Sequence, residues 1–99
     1  MKSVPEILRD CAMTYEERNK TYGDNYKKFG HVMQAIFPEG ISIYNIEQHI
    51  RFGVFVQCVS KLTRYAETIE CGGHKDSAHD LAVYGAMLEE VTDDNLPGL

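Results

Sequence analysis

Apolar residues recur along this chain at three- and four-residue intervals in four blocks, each bounded by a capping residue or a breaker, and that spacing predicts four helices. The first stripe is Ile7, Leu8, Cys11, Ala12, Tyr15 and then Tyr22. Ser3-Val4-Pro5-Glu6 ahead of it is a capping box with an early proline, and Gly23 behind it is a stop. A second stripe, Tyr26, Phe29, Val32, Met33, Ile36 and Phe37, can be capped by Asp24 or Asn25 and ends at Pro38-Glu39-Gly40.

Ser42 is the next cap. From Ile43 to about Glu70 there is no proline, and Ile43, Ile46, Ile50, Val54, Cys58, Leu62, Tyr65 and Ile69 hold the helical period. Phe52-Gly53-Val54-Phe55-Val56 imitates a strand in its β-branched and aromatic content, but the length and the sustained period favour helix. Such a helix spans roughly 40 Å at about 1.5 Å per residue, more than a compact chain of 99 residues easily covers. Phe52, Phe55, Val56 and Val59 fall outside the main stripe, and a neighbouring subunit is the natural cover for that surplus. A homo-oligomer, dimer or higher, is therefore expected. The fourth helix starts at Asp76 or Ser77 and turns Ala78, Leu81, Ala82, Gly85, Leu88 and Val91 inward. Residues 92–99 read as a frayed polar tail. The expected fold is all-α, one domain over residues 1–99, a four-helix bundle-like arrangement with a long third helix.

Composition narrows the function. The formal charge of −5 leaves no basic surplus to replace counterions on a nucleic-acid polymer or an anionic membrane. No apolar run approaches the roughly 20 residues of a membrane span, and Met1-Lys2-Ser3 leads into polar helix rather than a signal core. Cys11, Cys58 and Cys71 are an odd, widely spaced set that reads as reduced thiols, with Cys11 and Cys58 in the core. These features predict a cytoplasmic protein.

The candidate chemistry gathers between Lys61 and Tyr84. Lys61 and Arg64 are three apart and share a helical face; Asp76 and Asp80 are four apart and do the same. A Gly72-Gly73 break between them folds the third and fourth helices antiparallel, bringing the cations level with the acids, His74 and Tyr84. Arg64 as a bidentate fork and Lys61 as a point charge suit phosphate. The plainer reading is a set of ion pairs that fasten the hairpin, contributing little when exposed. Asp76 and Asp80 could ligate Mg²⁺ together with a ligand's phosphates, or simply favour the positive end of the fourth helix. His74 suits a polar contact, to a ligand or to the opposite helix; with His79 it offers too little for zinc. A second polar cluster, Glu16, Glu17, Arg18 and Tyr22-Gly23-Asp24, is either a solvated helix face or a contribution to the same site. Nothing matches a phosphate-binding loop, a dinucleotide turn or a nucleophile elbow.

The order Arg18-x-x-x-Tyr22-Gly23-Asp24, Lys61-x-x-Arg64 and His74-x-Asp76-Ser77-x-x-Asp80-Leu81-Ala82-x-Tyr84 resembles a family of small helical phage and prophage proteins carrying a domain of unknown function. That family is in turn similar to the all-α nucleotide pyrophosphohydrolases, the MazG and dimeric dUTPase group. The resemblance implies an oligomeric helical bundle that binds nucleoside triphosphates with Mg²⁺. The group's signature has Glu-Glu-x-x-Glu on one helix and Glu-x-x-Asp on the next. Here Glu16-Glu17 is followed by Lys20, and the later helix has Asp76-x-x-x-Asp80 instead. A site richer in cations than in metal-binding acids suits holding a nucleotide better than cutting it.

The leading expectation is thus a non-catalytic nucleotide-binding protein requiring no cofactor, with Arg18, Lys61 and Arg64 on phosphate. Tyr22 or Tyr84 would stack or hydrogen-bond, and His74, Asp76 and Asp80 would complete the contacts. In a phage-infected host's cytoplasm it could sequester a nucleotide signal used in antiviral defence. The enzyme alternative is a Mg²⁺-dependent nucleotide pyrophosphohydrolase whose metal sits on Glu17, Asp76 and Asp80. The remaining alternative is a structural or interaction protein in which the polar cluster only joins the hairpin.

Overall fold

The computed structural model describes residues 1–93, and the expected frayed tail lies, but for Thr92 and Asp93, outside the described residues. Four α-helices account for most of that length: α1 (Val4–Tyr22), α2 (Asn25–Ile36), α3 (Ile46–Thr68) and α4 (Lys75–Glu90). A 3₁₀ turn, Ile69–Cys71, extends α3, and there is no strand among the described residues. Among these residues no helix is long and apolar enough to cross a membrane.

α1, α3 and α4 start where a side chain satisfies free amides, whereas Asp24 at the start of α2 makes no such side-chain bond. Ser3 caps α1 as predicted, its Oγ accepting from the Glu6 amide at 3.4 Å, while the Glu6 carboxylate accepts from the Ser3 hydroxyl at 3.1 Å rather than from its amide, so only half of the expected box forms. For α3 the cap is Asn45, three residues later than Ser42: Asn45 Oδ1 accepts from the Gln48 amide at 2.8 Å. Gln48 Oε1 in return accepts from the amides of Tyr44 (2.7 Å) and Asn45 (3.2 Å). This reciprocal box outweighs a lone serine, because it satisfies donors on both sides of the boundary. The start of α4 also moves. His74, not Asp76 or Ser77, is its N-cap, with Nδ1 accepting from the Ser77 amide at 3.2 Å.

The best-packed unit is the α3–α4 hairpin, with α2 laid against α3 more lightly. Its sharp reversal depends on Gly72 and Gly73 at φ 99° and 87°, a region that residues with a Cβ avoid. Gly73 also donates its amide to the Thr68 carbonyl at 2.7 Å while the Tyr65 ring lies directly over it. Val59 and Thr63 of α3 and Ser77 of α4 are buried. At the far end Phe37 closes on Phe52 and Phe55, with ring centroids 6.2 and 5.6 Å away.

These contacts shift the expected inner face of α3 in part, with Val54, Cys58 and Tyr65 of the expected stripe half-buried. Phe52, Phe55 and Val59, read from the sequence as surplus for a neighbour, pack within the chain, and Val56 is half-buried. Ile46, Ile50, Leu62 and Ile69 of the expected inner stripe stand exposed. The helix is apolar over so wide an arc that period alone does not say which part faces in. The core itself is small, with Val59 the sole buried hydrophobic residue among those described. Cys58 is half-buried, and Cys11 is exposed rather than in the core. Within one chain the four helices do not close into a bundle: α1 meets the others chiefly at its C-terminal turn, where Asn19 and Tyr22 are half-buried and every earlier residue is exposed.

Candidate functional site

The turn from α1 into α2 sets one wall of an open cleft. Gly23 ends α1 at φ 58°, ψ −143°, a conformation that only glycine adopts readily, and its amide bonds back to the Asn19 carbonyl at 2.9 Å. A 2.6 Å ion pair between Lys28 and the largely buried Glu67 then fastens the start of α2 to α3. Between α1, α2 and α3 a cleft of about 760 Å³ remains. One end carries Arg18, Asn19, Tyr22, Asn25 and Arg64; toward the start of α1 the lining is more apolar, with Ile7, Tyr15, Phe29 and Val56, though Asp10, paired with Lys2, also borders it. Tyr15 meets Tyr26 edge-on at 6.5 Å, and its hydroxyl is held above the usual phenol range chiefly by hydrogen bonding with Tyr26.

Lys61 and Arg64, three residues apart, diverge by roughly 60° around the helix, and that is enough to send them to different neighbours. Lys61 turns into the α3–α4 seam, with Nζ 3.3 Å from Asp80 Oδ2 and 5.8 Å from the Tyr84 ring centre, its side chain only 12% exposed. Arg64 turns the other way, its guanidinium 5.2 Å from the centre of the Tyr22 ring. Tyr22 in turn meets His74 edge to face at 6.0 Å. Arg64 and Arg18 thus share the cleft, and among the described residues no carboxylate stands within ion-pair distance of either.

The sequence-derived set therefore separates into two groups. Arg18, Tyr22 and Arg64 line the cleft, whereas Lys61, His74, Asp76, Asp80 and Tyr84 do not. Lys61, Asp80 and Tyr84 form a polar seam that joins the hairpin, the plainer of the two readings open from sequence. His74 is committed to its cap and to Ser77 Oγ at 2.7 Å. Because its Nδ1 accepts from the Ser77 amide, its remaining donor capacity lies at Nε2. Asp76 sits exposed in the first turn of α4.

Asn19 and Asn25 are cleft residues that sequence reasoning passed over. Both side-chain oxygens are buried without a hydrogen-bond partner, and Asn25 as a whole is 9% exposed. Buried carbonyl oxygens of this kind are uncommon and costly, about 1–3 kcal/mol each. The signal available was faint: Asn25 reads equally well as a cap for the second helix, and Asn19 falls within the first.

The Mg²⁺ implied by the pyrophosphohydrolase resemblance finds no matching donor set among the described residues of one chain. Glu17 is exposed and paired with Lys20 at 3.3 Å, Asp80 is held by Lys61, and Asp76 stands apart from both. Among the described residues no three His, Cys, Asp or Glu side chains gather closely enough to share a metal ion. The fold and the cleft together define an all-helical protein with an arginine- and tyrosine-lined groove. Comparison with known protein families, curated proteins and solved structures finds no match to this chain.

Proposed function

We propose that this protein binds a phosphorylated nucleotide in the cleft between α1, α2 and α3 and holds it without turnover. The observation that carries the reading is the pair Arg18 and Arg64, two guanidinium groups on one concave surface with no carboxylate partner among the described residues. Guanidinium forks match phosphate oxygens bidentately, and such charge-assisted bonds are the strong ones. Tyr22, already stacked near Arg64, offers a face to a base or ribose, and the amides of Asn19 and Asn25 offer hydrogen-bonding groups for a base edge. Of the carboxylates that a MazG-type hydrolase would use, Glu17 pairs with Lys20, Asp80 pairs with Lys61 and Asp76 stands apart from both, a dispersal that favours retention of the ligand over hydrolysis. In this reading the protein acts in the cytoplasm as a homo-oligomer. If phage-encoded, it lowers the free concentration of a host nucleotide signal used in defence.

The test is a thermal-shift and calorimetric screen of linear and cyclic nucleotides, with and without Mg²⁺, followed by chromatography of the recovered ligand. A binding nucleotide at 100 times its dissociation constant should add about 2.7 kcal/mol of stability. It should do so equally without metal and be recovered intact. Metal-dependent conversion to a monophosphate would replace this reading with the pyrophosphohydrolase. The absence of any shift across the panel would leave a structural or interaction role.

A further inference from the structure

We infer that the apolar half of the cleft is a self-association surface whose occupant is α1 of a second copy of this chain, each copy's α1 lying in the other's groove. The inference is independent of any nucleotide.

A single copy of this chain covers little of its own surface. The accessible surface is 7949 Å², whereas a folded monomer of 11.2 kDa should expose about 5,700 Å². The radius of gyration is 17.2 Å, against about 13 Å for a compact chain of this length. A surplus on the order of 2,000 Å² per chain is the amount that obligate homodimers bury, since their interfaces run from roughly 2,000 to 5,000 Å² in total. With Val59 as its one buried hydrophobic residue among those described, an isolated chain has too little burial to offset the entropy of ordering its helices.

α1 supplies both halves of the missing contact. Val4, Ile7, Leu8, Cys11 and Tyr15 form one continuous face, and all five are exposed, Leu8 by 62%. The opposite face carries Glu6, Arg9, Glu16, Glu17 and Lys20 around a single exposed Met13 and is largely suited to water. Such a two-faced helix of 19 residues gains stability only by laying its apolar side on something. The groove beside it has matching chemistry and is bordered by α1 from Ile7 to Tyr22, roughly 22 Å at helical rise. The face that needs cover and the groove that needs filling belong to the same chain, so a two-fold axis satisfies both at once. Paired across that axis the two α1 helices run antiparallel, and the partner helix walls the open side of the Arg18–Arg64 end.

The experiment uses the full chain and its own thiols. Cys11 lies on the α1 face and Cys71 in the hairpin turn, and both are exposed in a single copy. Light scattering at micromolar concentration should give at least twice the chain mass, with maleimide labelling Cys71 at least tenfold faster than Cys11. The pair Ile7→Glu and Leu8→Glu should give a monomer, or a chain of reduced helicity, in which any remaining folded material labels Cys11 as fast as Cys71. A wild-type monomer would overturn the inference and point to a different protein as occupant. An oligomer in which Cys11 reacts as fast as Cys71 would overturn it too, by placing the interface elsewhere. Neither readout involves nucleotide, so loss of the binding reading and loss of this one are separable.

Discussion

Lys61 and Arg64 were legible from sequence as two cations on one face, and the sequence could not say that they answer to different helices. The divergence comes from the seam: Asp80 and Tyr84 draw Lys61 inward, while Tyr22, more than forty positions earlier in the chain, holds Arg64 over the cleft. Different consequences follow for each. Arg64→Ala should weaken nucleotide binding by about 10- to 100-fold, the equivalent of losing one charge-assisted bond at about 1.5–3 kcal/mol. Circular dichroism and melting should stay close to the parent. Lys61→Ala should instead lower stability by about 1 kcal/mol, as expected for a partly exposed ion pair, with binding measured by calorimetry little changed. Asn25 makes a third case. Its buried oxygen has no partner to lose, so Asn25→Ala should leave the melting temperature almost unmoved while reducing discrimination between bases in the same calorimetric series.

The helices themselves were readable because caps and breakers are local. Ser3, Gly23 and the Gly72-Gly73 break all act where their residue types suggest. The misplaced boundaries have a common cause: the starts of α3 and α4 are set by side chains outside the commonest patterns, Asn45 with Gln48 and a histidine in place of an aspartate. The inward face of α3 was not readable, since nearly every turn carries apolar groups on more than one side and only the position of Phe37 decides among them. At this scale the hairpin turn is the most sensitive point. A Cβ on Gly73 would overlap the Tyr65 hydroxyl and lie 2.6 Å from Tyr65 Cζ, on a backbone already at φ 87°. Gly73→Ala should therefore destabilise the fold by about 2 kcal/mol or more, combining a backbone penalty of about 1–3 kcal/mol with ring displacement. Chemical denaturation would show it as a lower midpoint with an unchanged slope.

At the scale of the whole molecule the sequence pointed to an oligomer, and the geometry relocates the reason. Surplus apolar surface sits on α1 and on the Ile46, Ile50, Leu62 and Ile69 side of α3, while the phenylalanines stay within the chain. The ligand-binding proposal likewise moves from the α3–α4 seam to the groove on the other side of Arg64. The measurement that tests that placement most directly is the nuclear magnetic resonance of arginine side-chain Nε–Hε groups during titration with a nucleotide chosen by the screen. Arg18 and Arg64 should shift together and saturate at the ligand concentration that saturates the calorimetric signal, while Arg9 stays in place. A saturating nucleotide that leaves both Arg18 and Arg64 unmoved would contradict the account, because no phosphate could then be seated in this cleft.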